Sequence, residues 1–451
     1  MKTVRLFLTA LLAASALSPL VAQHRNHGRK GYDPTVYMIS VHEVDTFLMD
    51  CEARQQAALQ NRLAAAAAIE DHKQTTRSGF HQPHQPQFIF ASKNNRFSLA
   101  LGGTIQLRTF YEFDGVVNNI DFVPADIPMH PAYNTSERIM MDGTASRLFL
   151  RAITNTRLGR IVVFVDGDFR GGKQGSYTPH MRSAFVSFLG FTAGRDVTTF
   201  CDLQAVAPTV DFNGPNAYNH RYTTMLRYEH SMWNNVVSFG VAAEIPKVSA
   251  TYGEFFAPQQ QRMPDFPLYL QVAWGRNRMS HIRASAILRN MYAYNQRTGS
   301  TTSLFGWGTQ ISGHIAIARS FDLFFNGTYG KGISPYVQDL VGSGLDFTPN
   351  PAHPESIQAI PVLAWQAAAR IHLVPEILSV SGGYSSVKVN HLNGFWAEDI
   401  YREGQYIFGN IFCNITPRMT LALEYLYGSR QDMNGDKNHA NRANLLISYS
   451  F

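Results

Sequence analysis

The sequence predicts an all-β fold: a 16-stranded antiparallel transmembrane β-barrel with a short N-terminal periplasmic helix that takes part in a coiled coil. Three observations lead to this prediction. The chain begins with an export signal, its main part contains sixteen segments in which apolar and polar residues alternate, and the connections between these segments alternate between short and long.

The first residues have the pattern of a cleaved secretory signal. Lys2 and Arg5 form a positive start, residues 6–14 are almost entirely apolar, and small residues offer a cleavage site near Ala22. Three parts are therefore expected: a signal peptide at 1–22, a periplasmic N-terminal helix and linker at 23–95, and an outer-membrane β-barrel at 96–451.

The composition limits the classes of protein that fit. No run of about 18 apolar residues follows the signal, so a helical membrane span is not expected. The 12% of aromatic residues suits strands that are apolar on one face only, and a net charge of +6 is too small to indicate a nucleic-acid partner. Cys51, Cys201 and Cys413 are widely spaced and odd in number, so neither a disulfide framework nor a metal or cofactor site is expected.

Residues 40–73 have the composition of a helix, because they are rich in Ala, Leu, Gln and Glu and lack Gly and Pro. Apolar residues at alternating steps of three and four form a short heptad seam that Gln55 and Arg62 interrupt. We expect this helix to self-associate in the periplasm; the alternative is an ordinary helix packed against the barrel mouth. The seam consists of Val41, Val44, Leu48, Cys51, Ala58, Ala65 and Ile69.

Residues 74–90 contain Pro, His and Gln without periodicity and are predicted to form a linker. His81 and His84 lie within it. No further ligand has a fixed spacing to these two histidines, so a metal site is not expected.

From Phe97 onward, sixteen segments show the two-residue period of half-buried strands. In one of them, Leu268 and Leu270 share a face opposite Tyr269 and Gln271. A soluble sheet shows the same alternation, but sixteen such apolar faces have no second layer to cover them, so lipid is expected to cover them. The segments are 97–110, 146–156, 159–169, 181–189, 191–199, 223–232, 235–244, 268–275, 280–292, 303–316, 322–331, 361–372, 377–389, 405–413, 418–427 and 443–451.

The connections are predicted to be short after every even-numbered segment and long after every odd-numbered one. A membrane barrel has short periplasmic turns at one rim and long external loops at the other, whereas a soluble sandwich has no reason to keep this alternation. Trp233, Trp274 and Tyr425 lie near strand ends, where an aromatic girdle is expected.

The last ten residues, RANLLISYSF, alternate up to the C-terminus, with Leu445, Ile447, Tyr449 and Phe451 on one face. The last strand must pair with the first, because an open edge in hydrocarbon would leave unpaired backbone groups. We expect Tyr449 and Phe451 to be the terminal signature that the barrel-assembly machinery recognises.

Sixteen strands enclose more space than side chains can fill, so the barrel is expected to hold a water-filled channel. Arginines on the lumen face are predicted to line it and to bind anions through paired hydrogen bonds. The alternative is that they pair with acids and only brace the wall. The predicted pore-lining arginines are Arg108, Arg147, Arg151, Arg227, Arg283, Arg289 and Arg370, and the opposing lumen acids are Asp166, Asp168 and Glu229.

The third long connection, FCDLQAVAPTVDFNGPNAYNHRY, holds two prolines, one glycine and a compact apolar start. A loop with its own packing residues can fold into the lumen. We expect it to constrict the channel, with Asp202, Asp211 and Asn213 facing the basic wall; the alternative is an external loop.

The stretch SRLFLRAITNTRLGRIVVFVDGDF, followed by RSAFVSFLGFTAGRDVTTFCD and PTVDFNGP, resembles the DcaP-like outer-membrane porins. The resemblance is close here and holds only in layout elsewhere. It implies a homotrimer of sixteen-stranded barrels with a periplasmic coiled coil, which passes small anionic solutes such as dicarboxylates. The residues that carry it are Ser146, Arg147, Arg151, Thr154, Thr156, Gly159, Gly167, Asp168, Phe169, Arg182, Gly194, Phe200, Asp211, Phe212, Gly214 and Pro215.

The leading expectation is therefore an outer-membrane channel for small polar, anionic solutes, with lipid around it and no nucleic-acid partner. Two other classes stay open. A surface adhesin or antigen would use the long loops to bind partners. An outer-membrane barrel enzyme would need a nucleophile and a histidine at the rim, and because His130, His220 and His230 lie in no recognisable motif, no enzyme is expected.

Overall fold

The computed structural model describes residues 34–39, 51–116, 120–134, 136–173, 175–275, 278–350, 352–390 and 400–451. The predicted signal peptide and residues 40–50 of the predicted helix lie outside these ranges. The remainder of that helix is present as predicted, from Cys51 to Thr75. Within the described ranges, no helix has the length and apolar character needed to cross a bilayer.

The described residues form strands, one α-helix and three short 3-10 turns, the turns at Pro124–Asp126, Ser334–Tyr336 and Gln338–Leu340. In chain order the strands and the helix are β1 (Thr35–Ile39), α1 (Cys51–Thr75), β2 (Phe88–Ser92), β3 (Phe97–Asp114), β4 (Arg138–Asp142), β5 (Arg147–Thr156), β6 (Gly159–Asp168), β7 (His180–Phe188), β8 (Phe191–Val197), β9 (Tyr222–Met232), β10 (Val237–Glu244), β11 (Phe256–Pro258), β12 (Phe266–Trp274), β13 (Ser280–Asn295), β14 (Ser300–Ala318), β15 (Phe321–Lys331), β16 (Phe347–Asn350), β17 (His353–Ala359), β18 (Pro361–Val374), β19 (Leu378–Val389), β20 (Tyr401–Asn414), β21 (Met419–Asp432) and β22 (Lys437–Ser450).

These strands build a closed, 16-stranded antiparallel barrel, which confirms the predicted fold class. The wall strands are β3, β5 to β10, β12 to β15 and β18 to β22, each paired with the next along the chain. The short strands β4 and β11 pair with β3 and β13 at the rim.

The barrel closes through the C-terminal strand, as predicted. Ser450 of β22 pairs with Thr104 of β3, and the pairing continues to the last residue. The amide of Phe451 donates to the carbonyl oxygen of Gly103, and the amide of Gly103 donates to the carbonyl oxygen of Phe451, both at 2.9 Å. Closure leaves the wall without a free edge, which a hydrocarbon environment requires.

The apolar face of the wall points outward, as the alternation predicts. On β12, Leu268, Leu270 and Val272 are 41%, 53% and 45% exposed, whereas Tyr269 between them is buried at 8%. A belt of large apolar side chains outside and polar side chains inside is the arrangement of a wall that is solvated by lipid.

The seven connections at one rim are all short, as predicted: 157–158, 189–190, 233–236, 275–279, 319–320, 375–377 and 415–418. At the other rim, two connections predicted to be long are short turns at 296–299 and 433–436, because their strands run past the predicted ends. Tyr294 pairs with Thr301, and Arg430 pairs with Asn438. The residues of these extensions are mostly polar and do not show the alternation of apolar and polar residues found in the wall.

Strands β1 and β2 form a small extension of the wall at the short-turn end. β2 pairs with β3 beyond the point at which β22 ends, since Phe88 lies opposite Leu101, and β1 runs parallel to β2. Helix α1 packs on them through Ala68, which joins Ile89 in a buried apolar cluster. Residues 88–90 of the predicted linker are therefore strand.

Candidate functional site

The lumen of the barrel is crossed by residues 198–221, which connect β8 to β9 and which we call the lumen loop. Asp202 of this loop accepts hydrogen bonds from His281 (2.9 Å) on β13 and from Ser312 (2.7 Å) on β14. Further along, the amide of Asp211 donates to Glu424 (2.7 Å) on β21. The loop is thus attached both to β13 and β14, a few strands along the wall from β9, and to β21, which lies in the other direction around the barrel.

Asp202 lies among hydrogen-bond donors and near the charge of Arg283. Burial disfavours the ionised carboxylate, but the hydrogen bonds from His281 and Ser312 and the charge of Arg283 outweigh this effect, so the pKa of Asp202 falls to about 2. This side chain is therefore a fixed negative charge that holds the start of the lumen loop to the wall.

Asp211, further along the lumen loop, has both acids and arginines around it. Its carboxylate accepts the amides of Phe122 (3.0 Å) and Gly214 (3.1 Å), and Glu424 lies beside it. Burial and the charge of Asp121 raise its pKa to about 7. Asp211 is therefore buried among polar groups, the acids Asp121 and Glu424, and the charges of Arg442 and Arg108, and burial and the acids outweigh the arginines in setting its pKa.

The connections at the other rim pack onto the lumen loop. The side chain of Asn213 accepts a hydrogen bond from the side-chain amide of Gln338. The backbone amide of Gln338 donates to the carbonyl oxygen of Tyr218 at 2.9 Å. The amide of Asp339 donates to the carbonyl oxygen of Asn216 at 3.1 Å. The predicted constriction residue Asn213 thus belongs to an interface between two loops inside the barrel.

The predicted pore-lining arginines of the first strands point into the lumen and are covered by protein. Arg147 donates to Asp166 through Nε at 3.0 Å, and Arg227 donates to Asp196 at 2.8 Å. Glu229 pairs with Arg227 at 3.0 Å. These contacts are the bracing arrangement that the sequence left open as the alternative.

The predicted arginines of the later strands are also held by protein groups. Arg370 pairs with Asp322 at 2.6 Å, and the guanidinium of Arg283 lies 3.6 Å from the centroid of the Tyr269 ring. Arg289 lies between two buried acids, with Nε 3.1 Å from Asp265 and Nη1 3.0 Å from Asp346. This arginine therefore links β13 to the connection at 332–360.

A cluster of cations surrounds the ring of Phe212 in the lumen loop. Three guanidinium groups lie 4.0, 5.0 and 5.3 Å from the ring centroid: those of Arg170, Arg108 and Arg182. Arg108 is only 2% exposed, and its Nε and Nη1 have no hydrogen-bond partner among the described residues. The acids whose charges act on Arg108 are Asp121, Asp211 and Asp142.

The predicted linker contributes to the same region. Residues 76–87, here called the inserted segment, leave α1 and enter the barrel from the short-turn end. Nη1 of Arg151 donates to the carbonyl oxygen of His72 (3.1 Å) and to Thr76 (2.6 Å), and Arg147 donates to the carbonyl oxygen of His81. Two of the predicted anion-binding arginines are thus occupied by the N-terminal part of the chain.

Two groups of site residues could not be found from strand alternation. Arg182 is buried and pairs with Asp168 at 3.1 Å, but the pairing of β6 with β7 shifts register after Asp166, so both Arg182 and Ser183 face inward. Arg170 and Phe212 lie in connections, where no period assigns a face. The only sequence signal for Arg182 and Phe212 is the family resemblance.

No group of three or more His, Cys, Asp or Glu side chains in the described part of the chain is placed to hold a metal ion. The polar groups of the lumen are instead arginines, carboxylates and amides that can bind ions or small polar molecules by hydrogen bonds.

A closed barrel with an outward apolar face, short turns at one rim and a connection folded into its lumen has the architecture of outer-membrane porins. The sequence agrees: residues 83–250 match the model of the family described as DcaP outer membrane protein. The resemblance drawn from the sequence is therefore confirmed over this region. No curated protein matches the chain in sequence.

Solved structures share the fold. The outer membrane channel DcaP of Acinetobacter baumannii superposes with a TM-score of 0.69 at 16% identity, over 79% of this chain and 97% of that chain. OmpT of Vibrio cholerae gives 0.51 at 11% identity, over 79% and 98%. An anion-selective porin from Comamonas acidovorans gives 0.50 at 13% identity, over 79% and 100%.

Proposed function

We propose that this outer-membrane porin-type protein is a diffusion channel for small anionic solutes, of which dicarboxylates are the expected class. The observation that carries the proposal is the cation cluster on Phe212. Arg108 and Arg170 lie there inside the barrel, and each has a buried guanidinium nitrogen without a hydrogen-bond partner among the described residues.

The chemistry of this cluster suits a carboxylate. A buried guanidinium nitrogen that lacks an acceptor is costly, and an anion in transit would supply the missing acceptor oxygen. The ring of Phe212 holds the cations close together without neutralising them, and Asp121 pairs with Arg170, so Arg108 is the member of the cluster with the most charge left to offer. Because Asp121 and Asp142 offset part of the charge near Arg108, we expect transient binding, which is what permeation requires.

We place the barrel in the outer membrane with its short turns on the periplasmic side, as in other outer-membrane barrels. Helix α1, which packs at the short-turn end, then also lies on the periplasmic side. We also propose a homotrimer. Leu59 and Leu63 of α1 are 58% and 62% exposed, so they offer an apolar stripe to neighbouring helices. The predicted seam residue Ile69 instead packs on the cluster beside β2.

The test is the ion preference of single channels of the full-length protein in a planar bilayer under a KCl gradient. We expect stepwise openings in groups of three and a reversal potential on the chloride side. Arg108→Ala and Arg170→Ala should move the reversal potential toward that of potassium. Arg157→Ala, in an exposed turn outside the lumen, is the matched control.

Unchanged ion preference in both lumen variants would contradict the anion proposal. A protein that is folded but never conducts would favour the adhesin or the enzyme class instead. The family match already favours a channel over an enzyme.

A further inference from the structure

We propose that the inserted segment, residues 76–87, is an internal plug: it occupies the arginine wall of the lumen, limits the conductance of the barrel, and must withdraw before an anion can use that wall. This inference rests on the proposed channel function and names a regulatory element of the same lumen.

The segment reaches far into the barrel, as its contacts with β5 show. Asn155 at the short-turn end of β5 donates to Asp71 of α1 at 2.8 Å, whereas Arg147 near the other end donates to the carbonyl oxygen of His81. Eight residues of strand separate these contacts, which is about 26 Å along the strand. With a strand tilt of about 40°, the chain rises roughly 20 Å through the wall before it returns to β2.

The tip of the segment is fitted to the lumen loop. The amide of Phe80 donates to the carbonyl oxygen of Leu203 at 2.7 Å, and its ring joins Cys201 and Tyr218 in a buried cluster. Gly214 has a φ of +72°, and a Cβ there would lie 2.7 Å from Cζ of Phe80. The loop that narrows the lumen thus leaves room for this ring.

The segment uses the charges that an anion would need. The carbonyl oxygen of His81 accepts from Arg147, the hydroxyl of Thr76 accepts from Arg151 at 2.6 Å, and Arg77 of the segment pairs with Asp196 of β8. A carboxylate solute and the segment therefore compete for the same guanidinium groups. The polar composition that resembles a linker is suited to this role, since Pro, His and Gln satisfy a polar wall without forming a strand or a helix.

His81 of the inserted segment makes specific contacts with the lumen loop. Its ring stacks on Phe212 with centroids 4.3 Å apart, and Nε2 donates to the carbonyl oxygen of the same residue. The plug and the cation cluster therefore meet at Phe212, so movement of the segment would uncover Arg108 and Arg182 on that ring.

The experiment compares single-channel conductance of the full-length protein with that of two variants that weaken the seat. Phe80→Ala removes the tip, and Arg77→Glu repels Asp196. We expect each to raise the mean conductance by roughly two-fold or more, because the lumen then holds one chain segment fewer. Leu158→Ala and Arg157→Glu, in the exposed turn between β5 and β6, likewise truncate an apolar side chain and reverse an arginine charge, and they should leave conductance unchanged.

A second readout follows the segment itself. Cys201 lies under Phe80 and is 4% exposed, so it can report release of the plug in a Cys51→Ser/Cys413→Ser background. We expect a bilayer-impermeant maleimide to label Cys201 slowly in the parent and at least several-fold faster in the Phe80→Ala and Arg77→Glu forms. Heat-modifiable migration in gels checks that each form is a folded barrel.

The outcomes separate the plug from the channel. If parent and variants conduct equally, or if conductance rises while Cys201 labelling stays at the parent rate, the plug is wrong and the channel stands. If folded parent and folded variants all fail to conduct, the channel itself is wrong and the plug with it.

Discussion

Gly103 and Phe451 join the two ends of the barrel by a pair of reciprocal backbone hydrogen bonds, each 2.9 Å long. The ring of Phe451 also lies over Gly103, where an added Cβ would approach Cζ to 2.7 Å. The last residue of the chain is therefore part of the seam that closes the cylinder, in agreement with the alternation of RANLLISYSF.

The packing at the seam predicts that alanine substitutions at two glycines change the stability of the barrel by different amounts. Gly103→Ala should destabilise the folded barrel by about 1–3 kcal/mol, because the new methyl group overpacks the Phe451 ring and the carbonyl oxygen of Arg147. Gly327→Ala on β15 is the control, since a Cβ there meets nothing within 4 Å. Urea unfolding in lipid vesicles measures the difference; equal free energies of unfolding would show that the seam is not tightly packed.

A buried ion triad predicts a second loss of stability. Arg289→Met removes the cation between Asp265 and Asp346 and leaves two buried acids without their partner, a change that typically costs about 3–5 kcal/mol. We expect a clear fall in the melting temperature of the detergent-solubilised protein. Arg297→Met, in the exposed turn between β13 and β14, should leave it unchanged. A similar melting temperature for both variants would contradict the bracing role of Arg289.

Asp211 predicts a dependence of stability on pH. Burial and then the charge of Asp121 raise its pKa in the folded state to about 7, above its ordinary value. Asp211 therefore keeps a proton in the folded protein that it releases in the unfolded chain, so its contribution to stability is fully present below the ordinary aspartate pKa and is lost as pH rises through about 7. Buried histidines with a lowered pKa, His72 and His220 among them, change stability in the opposite direction, so the measured quantity is the difference between the parent and Asp211→Asn in the change of melting temperature from pH 5 to pH 8.

Asp211→Asn should reduce this pH dependence, because the amide cannot ionise. Part of it should remain, since burial also raises the pKa of Asp339 to about 6. Asp436→Asn, in an exposed turn, should keep the full dependence of the parent. A slope that is the same in the Asp211→Asn and parent proteins would exclude Asp211 as its source.

The exposed stripe on α1 predicts an effect on assembly. Leu63→Asp should shift the detergent-solubilised protein from trimer toward monomer, because it places a charge in the proposed helix contact. Gln60→Asp introduces the same charge at an already polar, exposed position of the helix and should not change the oligomer. Light scattering coupled to size exclusion measures the mass. A monomeric parent, or a Leu63→Asp variant that stays trimeric, would contradict the proposed helix contact.

The wall of the barrel could be predicted from the sequence because lipid imposes one rule on every strand, outward apolar and inward polar. The rule fails where lipid is absent: the hairpin between β21 and β22 extends to Lys437, six residues before the predicted start at 443, and its polar residues show no period. It fails at Arg182 as well, since a bulge in the pairing of β6 with β7 places two consecutive residues inward.

The contents of the lumen could be predicted only in part. Residues 200–222 have the prolines and the apolar start of a loop that packs, and this loop does lie inside the barrel. The partners of Asp211 could not be foreseen, because they come from β21 and from the connection at 115–137, which are distant in sequence. The position of the inserted segment has no signal in the sequence, because a chain that lies against polar walls needs no apolar period.

The proposed function requires that small dicarboxylates cross this barrel by way of its arginines. The most direct measurement is the reversal potential of the full-length protein, and of its Phe80→Ala form, in a bilayer under a gradient of potassium succinate. We expect a reversal potential whose sign shows that succinate is more permeant than potassium. In Arg108→Ala, the reversal potential should shift toward that of potassium. A potential of the opposite sign in both parent and Phe80→Ala would contradict it.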